Sequence, residues 1–343
     1  MAPKHFYVTY RCSVRSHFGS NNAAFPSFRD MSPTSRSADP THYNGLAVMK
    51  LSDDFDQSLD GTTLPNSLKS LTLGWSFNQS LEGASLPLGL LHLTFGFEFD
   101  RSLDNTYLPP RLKSLTFGYT FNQDLSGTTL PRWLESLTFG EEFNQSLLYT
   151  ELPEGLQILT FGRNFNRPLF RGTLPSDLKR LTFGGHFNQM LDGGILPTNL
   201  EHLTLGDDWT QPLNSETLPT GLNSLTFGRK FQQSLLYVTL PSGLQSLTFG
   251  DNWNHGIGTV RLPIGLKKLT FGKRFNRPVN GTALPQGLES LTFGEDFNCR
   301  LDFTNLPPGL IHLAFGGRYK HSLDDVQFPD KAKKRRCEIV DSF

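Results

Sequence analysis

The sequence predicts an all-β-rich solenoid, a right-handed stack of about 13 short parallel strands joined by extended or turn-like return limbs. Three observations support this fold class. The dipeptide Leu-Pro recurs every 22 residues from Leu64 to Leu306 without an insertion or deletion. Each unit contains one short stretch of alternating polar and apolar residues that ends in glycine. The composition is skewed to 29 Phe against 8 Tyr and 4 Trp, as repetition of one motif produces.

The columns of the repeat identify the strand. With the leucine of Leu-Pro as position 1, positions 5 and 8 are Leu and position 11 is Gly in all twelve units, and position 10 is Phe in ten of them. The alternation around position 8 predicts a short strand, and the glycine predicts a turn after it. Proline at position 2 disfavours a long helix. One unit is too small to hold a core alone, so the units must stack.

The repeat also divides the chain. Its four predicted segments are a disordered N-terminal arm (1–41), a degenerate capping repeat (42–63), twelve repeats (64–327), and a truncated repeat with a basic tail (328–343). The arm is rich in Ser, Pro, Asn and Arg, and its first acidic residue is Asp30. An organellar transit peptide and a cover folded over part of the array are alternatives for this arm.

The basic tail contains Lys333, Lys334, Arg335 and Arg336. Such a cluster is typical of nuclear import signals, and a solvated cap that ends the stacking explains it equally well. Cys12, Cys299 and Cys337 lie far apart, which favours a reducing compartment over a disulfide framework. No stretch is long and apolar enough for a signal peptide or a membrane span. We therefore expect a cytoplasmic or nuclear protein that does not bind membranes.

The columns argue against catalysis, cofactors and metals. His92, His202 and His312 share position 7 but lie five units apart, or about 24 Å between neighbours, so they cannot share a metal ion. His186 lies in a different column one unit before His202, so this pair could approach, but the local carboxylates Asp207 and Asp208 are equally explained as surface charge. The glycines recur once per unit and form no phosphate-binding loop. A net charge of zero disfavours nucleic acid. The sequence therefore predicts no enzyme, no cofactor and no metal site.

Position 12, directly after the glycine, holds three successive aromatic residues, Trp75, Phe97 and Tyr119. We call them the aromatic strip. Positions 10 and 14 already supply the apolar residues of the core, so these side chains have no predicted place inside. Aromatic residues are enriched at binding hot spots, so the strip is the preferred contact surface for a partner protein. The N-terminal arm folded over it is the alternative. If the strip lies outside the core, its truncation leaves the thermal transition nearly unchanged.

Position 7 supplies a second candidate surface. Ile158, Arg180 and His202 occupy it in three consecutive units, in a column that is Ser in six of twelve. These residues place an apolar, a charged and a titratable group side by side on the predicted concave face of the sheet. Tolerated variation on a solvated face explains them equally well.

Two further columns have structural explanations. Position 15 is Asn in eight of twelve units, which predicts a buried ladder that hydrogen-bonds the backbone of the adjacent unit. From Asp207 to Asp296, positions 12 and 13 alternate in sign from unit to unit. Opposite charges on neighbouring units attract weakly, and a slipped stack would bring like charges together. We therefore expect ion pairs that fix the register.

The units resemble FNIP repeats, a 22-residue relative of leucine-rich repeats. The resemblance covers residues 42–327, and the name-giving tetrapeptide is approached at residues 165–168 and 275–278, both Phe-Asn-Arg-Pro. It implies a protein-interaction scaffold and transfers no catalytic residue. A substrate-recognition adaptor of a ubiquitin ligase is an alternative, although no F-box is visible. An enzyme with a site on the concave face is a second, less favoured alternative.

Overall fold

The structure is a computed structural model that describes residues 8–9, 45–214, 216–279, 284–301, 306–322 and 338–339. Its contacts divide the chain into two compact units. The N-terminal unit comprises Met1–Gln145 and Tyr149–Leu156, and the C-terminal unit comprises Ser146–Leu148 and Gln157–Phe343. Each unit is described by itself below. We call one repeat with its strand a rung.

The N-terminal unit is a stack of short strands. These are β1 (Val8–Thr9), β2 (Val48–Leu51), β3 (Ser70–Thr72), β4 (His92–Thr94), β5 (Ser114–Thr116) and β6 (Ser136–Thr138). From β2 onward the strands pair in parallel, and each residue lies beside the residue 22 positions later. β1 pairs antiparallel with β2 and covers an edge that would otherwise be unpaired. The predicted disordered arm thus contributes one strand, and most of it lies outside the described residues.

The C-terminal unit repeats the same rung. Its strands are β7 (Ile158–Thr160), β8 (Arg180–Thr182), β9 (His202–Thr204), β10 (Ser224–Thr226), β11 (Ser246–Thr248), β12 (Lys268–Thr270), β13 (Ser290–Thr292), β14 (His312–Phe315) and β15 (Glu338–Ile339). A 3-10 turn at Ile257–Thr259 is the one helical element among the described residues. The thirteen strands from β2 to β14 stack in parallel within each unit as the turns of a β-solenoid, so the predicted fold class is confirmed. β15 adds a parallel rung in which Ala314 pairs with Glu338, 24 residues away.

The core consists of the leucine and phenylalanine columns. In the N-terminal unit, the ring of Phe117 stacks on that of Phe121 in the same rung at 3.8 Å and on that of Phe139 in the next rung at 5.6 Å. In the C-terminal unit, Phe183 is 3% exposed and stacks on Phe187 at 3.7 Å. The prediction that position 10 lies inside is confirmed, because each rung buries its ring against those of its neighbours.

The invariant glycine at position 11 has a steric cause. A Cβ atom built on Gly118 would lie against the carbonyl oxygen of Gly96 at a separation that real Cβ atoms essentially never show. The same overlap recurs in the C-terminal unit, where a Cβ on Gly228 would meet the carbonyl of Gly206. The chain therefore has no room for a side chain where each strand ends.

The asparagine ladder at position 15 is present, with one difference from expectation. In the N-terminal unit, the Asn144 N–H donates to Asn122 Oδ1 at 2.8 Å, and Gln145 Nε2 donates to the same oxygen at 3.1 Å. In the C-terminal unit, Asn166 Oδ1 accepts in the same way from the next rung at 2.9 Å. These asparagines are half-buried rather than buried, because the phenylalanine that precedes each of them takes the interior position. Each oxygen joins two neighbouring rungs through two hydrogen bonds.

Candidate interaction surface

The aromatic strip forms one continuous stack in the N-terminal unit. The ring of Trp75 lies 4.2 Å from that of Phe97 with 3° between their planes, and Phe97 lies 4.5 Å from Tyr119 at 12°. Trp75 is 52% exposed, Tyr119 is 41% exposed and Phe97 is half-buried. The structure therefore brings the three predicted residues together and leaves a large aromatic surface outside the core.

The backbone of the turn fixes the position of the strip. We call positions 12 and 13, directly after the glycine, the turn edge. Each N–H at position 13 donates to the carbonyl at position 12 of the preceding rung, as Glu98 does to Trp75 at 2.9 Å and Thr120 to Phe97 at 3.0 Å. Glu142 donates to the Tyr119 carbonyl at 2.9 Å. Because these bonds repeat at every rung of the strip, the rings are held in register before any partner binds.

The second predicted group lies on the sheet of the C-terminal unit. Ile158, Arg180 and His202 occupy equivalent positions on β7, β8 and β9, and the strand register places them side by side. Ile158 and Arg180 are exposed, and His202 is half-buried. Burial, and then the nearby Arg180 guanidinium, lower the pKa of His202 below its usual value. His202 therefore favours its neutral form, and the permanent cation in this group is Arg180.

The turn edge of the C-terminal unit carries the predicted alternating charges. Lys230 pairs with Asp208 at 3.0 Å, Lys273 with Glu295 at 2.9 Å, and the last of these pairs joins Arg318 to Asp296 at 2.8 Å. His186 Nδ1 also lies 2.8 Å from Asp208. The hydrogen bonds from His186, and then from Lys230, lower the pKa of the Asp208 carboxyl. Neighbouring rungs are thus linked by opposite charges, as expected from the sequence.

Within the described ranges, no group of three or more His, Cys, Asp or Glu side chains is close enough to hold a metal ion. His186, which the sequence places one rung before His202, contacts Asp208. The part of the chain that the structure describes also contains no helix of the length and apolarity needed to cross a bilayer. Lys333, Lys334, Arg335 and Arg336 lie outside the described residues, so the structure does not bear on the basic tail.

Sequence reasoning did not single out the carboxylates beside the strip. Asp53 precedes Trp75 by one rung at position 12, Glu141 follows Tyr119 by one rung, and Glu98 lies between them at position 13. All three side chains are exposed. The signal for them is present in the sequence, because every charged residue at positions 12 and 13 from Asp53 to Glu142 is acidic.

Comparison with known proteins agrees with this geometry. The model of the FNIP Repeat matches residues 55–98, 99–142, 143–186, 187–230 and 253–296. No match is found among curated proteins. The crystal structure of CroV588, described as a novel circular LRR protein, is similar to this chain, with 38% sequence identity and a TM-score of 0.70. The match covers 82% of this chain and 45% of CroV588. This chain thus spans less than half the length of CroV588.

An internalin, InlF from Listeria monocytogenes, is 16% identical at a TM-score of 0.60, with 89% of this chain and 88% of that one covered. That likeness concerns the fold alone. The family model matches more than half of the sequence, in windows that each contain two rungs. The chain therefore belongs to the FNIP repeat family.

Proposed function

We propose that this protein is a non-enzymatic scaffold for protein–protein interaction and that it binds its partner through the aromatic strip. One observation carries the proposal. Three stacked aromatic rings, two of them exposed and one half-buried, lie together at one place on the surface of the N-terminal unit. Arrays of the family that the repeats resemble typically serve as interaction scaffolds, which supports the same conclusion.

Specific binding requires a place where the repeat is broken. The threonines at position 9 form a ladder along the strands of both units, and a partner would find the same contacts in every register. The strip occupies three rungs only. Aromatic side chains offer large apolar area with few rotatable bonds, so one defined register would be strongly favoured over the others.

The strip is also organised in advance. Stacking between the rings and hydrogen bonds between successive turns hold Trp75, Phe97 and Tyr119 in place. A partner would therefore immobilise few additional rotamers on binding, and this lowers the entropic cost of association. Such rigid aromatic anchors favour slow dissociation.

The test is affinity capture with the full chain and with a variant carrying Trp75→Ala, Phe97→Ala and Tyr119→Ala. We expect retention of the principal partner to fall by more than about tenfold, as loss of hot-spot residues produces. A matched control carries Leu88→Ala, Tyr107→Ala and Trp133→Ala, which remove exposed apolar side chains of the same unit outside the strip. The control should capture the partner normally.

Undiminished capture by the strip variant would contradict the proposal. Equal loss in the strip variant and in the control would contradict it as well, since general stickiness would then explain the binding. If capture survives in the strip variant and is lost with Ile158→Ala, Arg180→Ala and His202→Ala, the contact surface lies on the sheet of the C-terminal unit.

A further inference from the structure

The aromatic strip is surrounded by charge of one sign. The turn edge of the five rungs from residue 53 to residue 142 contains five carboxylates and no lysine or arginine, namely Asp53, Asp54, Glu98, Glu141 and Glu142. Lys50 on β2 forms an ion pair with Asp53 at 3.1 Å and offsets its charge. Glu141 and Glu142 have contacts of their own, and carboxylates still outnumber basic residues along this edge. The potential along this edge is therefore negative and attracts a cationic partner.

The orientation of the rings decides which part of each ring a partner meets. The three planes are within 12° of parallel from one ring to the next, so both faces of Phe97 are covered by its neighbours. Trp75 and Tyr119 each have one face that no other ring of the strip covers, and these faces point along the stack toward the rungs of Asp53 and Glu141 respectively. Between these two ends, the strip presents ring edges.

The two ends and the middle of the strip suit different chemistry. A guanidinium or ammonium group is attracted to the face of an aromatic ring, best of all to tryptophan. At each end of the strip, such a face lies next to a rung that carries two carboxylates. The ring edges between the ends lack the negative potential of a face and favour apolar contact. The strip therefore has two places for cations and an apolar stretch between them.

The distance between these places sets a spacing for the partner. Within this chain, Arg132 Cζ lies 4.5 Å from the centre of the Trp133 ring and shows how a guanidinium seats on an indole. With that distance at each end and ring steps of 4.2 and 4.5 Å between, the two cations lie about 18 Å apart. An extended chain advances about 3.1 to 3.3 Å per residue, so about six residues cover this span.

We infer that the aromatic strip binds an extended segment of a partner protein that has two arginine or lysine side chains about six residues apart and apolar residues between them. The inference rests on the proposed function and names the chemistry of the partner. A spacing of about six suits both extended conformations, because it is a multiple of the strand period of two and of the polyproline II period of three.

The probe is a synthetic peptide of about ten residues with two arginines about six positions apart and leucine and serine between them. Its binding to the full chain is followed by fluorescence anisotropy of a dye on the peptide. One comparison peptide has the same composition with its arginines about three positions apart, and another has glutamate in place of arginine. We expect the first comparison peptide to bind about tenfold more weakly and the second to show no saturable binding.

Two variants separate the contributions to binding. Asp53→Asn, Glu98→Gln and Glu141→Gln together remove the charge of exposed carboxylates with little change of shape, and should weaken binding about tenfold and flatten its salt dependence. Trp75→Leu with Tyr119→Leu keeps apolar surface but removes the ring faces. This second variant should abolish the preference for the wider arginine spacing.

Equal binding of the glutamate peptide, or of both arginine spacings, would overturn the inference. Binding that appears only after Arg11→Gln, Arg15→Gln and Arg29→Gln would overturn the assignment to a partner, since the chain's own N-terminal residues would then be the occupant. The outcome for the proposed function is separate. If the amide variant still captures the protein partner and the alanine variant of the strip does not, the cationic inference fails and the proposed function stands.

Discussion

The turn edge has different contents in the two units, although the rung is the same. In the N-terminal unit it holds three stacked aromatic residues among carboxylates. In the C-terminal unit it holds charges of alternating sign that pair between rungs, as Lys230 does with Asp208. The backbone hydrogen bonds of this edge are alike in both units, as the Lys230 N–H shows by donating to the Asp207 carbonyl at 2.7 Å.

This comparison separates the residues that build the fold from the residues that the fold exposes on its surface. The glycine, the leucines and the inner phenylalanines form the core and the turn of each rung. The residues of the turn edge are not needed for this packing and can therefore differ. In the C-terminal unit they are used for contacts within the chain, where opposite charges hold neighbouring rungs in register. In the N-terminal unit the rings contact one another and still leave surface exposed. Exposed aromatic surface at a fixed position is better suited to a partner than paired charges are.

The largest expected effect on stability concerns the inner phenylalanine column, which each unit contains. Phe117→Ala in the N-terminal unit and Phe183→Ala in the C-terminal unit each leave a cavity in the inner phenylalanine column. Each should lower the free energy of unfolding by about 3 to 5 kcal/mol. Chemical denaturation measures this loss. A loss below about 1 kcal/mol for either variant would show that position 10 is not interior in that unit.

An intermediate effect is expected for the aromatic strip. The sequence alone suggests that truncation of the three rings leaves stability unchanged, but the structure shows two stacked pairs. Each such pair contributes about 0.5 to 1.5 kcal/mol, so the triple alanine variant should lose about 1 to 3 kcal/mol in chemical denaturation. A loss as large as that of Phe117→Ala would contradict this assignment and place the strip beneath a covering segment.

The smallest expected effect concerns the charges of the C-terminal unit. Asp208→Asn breaks an ion pair between the exposed Lys230 and the half-buried Asp208, which also contacts His186, so the loss should be about 0.2 to 1 kcal/mol and should shrink with added salt. Glu98→Gln at the same position of the N-terminal unit is the matched control and should change stability less. An Asp208 variant whose loss does not depend on salt would contradict an electrostatic origin.

The pH dependence of the same variant follows from the lowered pKa of Asp208. Because the folded pKa is below the unfolded value of about 4, the carboxylate stabilises the fold fully above that pH. This contribution is lost as the pH falls through the folded pKa. The stability of the wild type and of Asp208→Asn should therefore converge in acid.

Much of the fold could be predicted from the sequence because the period is uniform. A column that is always leucine indicates a buried position, and a column that is always glycine indicates a position without room for a side chain. The strands, the inner rings and the asparagine hydrogen bonds could therefore be predicted. The strands Val8–Thr9 and Glu338–Ile339 were not, because neither continues the 22-residue register. The sequence also does not predict Gln145 as the second donor to Asn122 Oδ1, because a glutamine beside an asparagine gives no periodic signal of its own.

The sequence identifies the residues of the candidate site, but it does not predict the stacking energy of their rings. Trp75, Phe97 and Tyr119 were identifiable because they break the pattern of their column. Their mutual stacking depends on ring orientation, which side-chain identity does not determine. The ion pairs of the C-terminal unit followed from alternating signs alone, since neighbouring rungs place equivalent positions side by side.

The asparagine ladder has a consequence for the chemical ageing of the protein. Asn122 acts through Oδ1, and Asp100 occupies the same column with a carboxylate. Asp100 Oδ1 accepts from the Asn122 N–H and from Gln123 Nε2, both at 2.9 Å, as an asparagine oxygen does. Hydrolysis of a ladder amide to the acid would therefore preserve the acceptor on which the next rung depends. A molecule in which direct hydrolysis converts a ladder amide to the carboxylate would gain negative charge in this column while its rungs stayed joined.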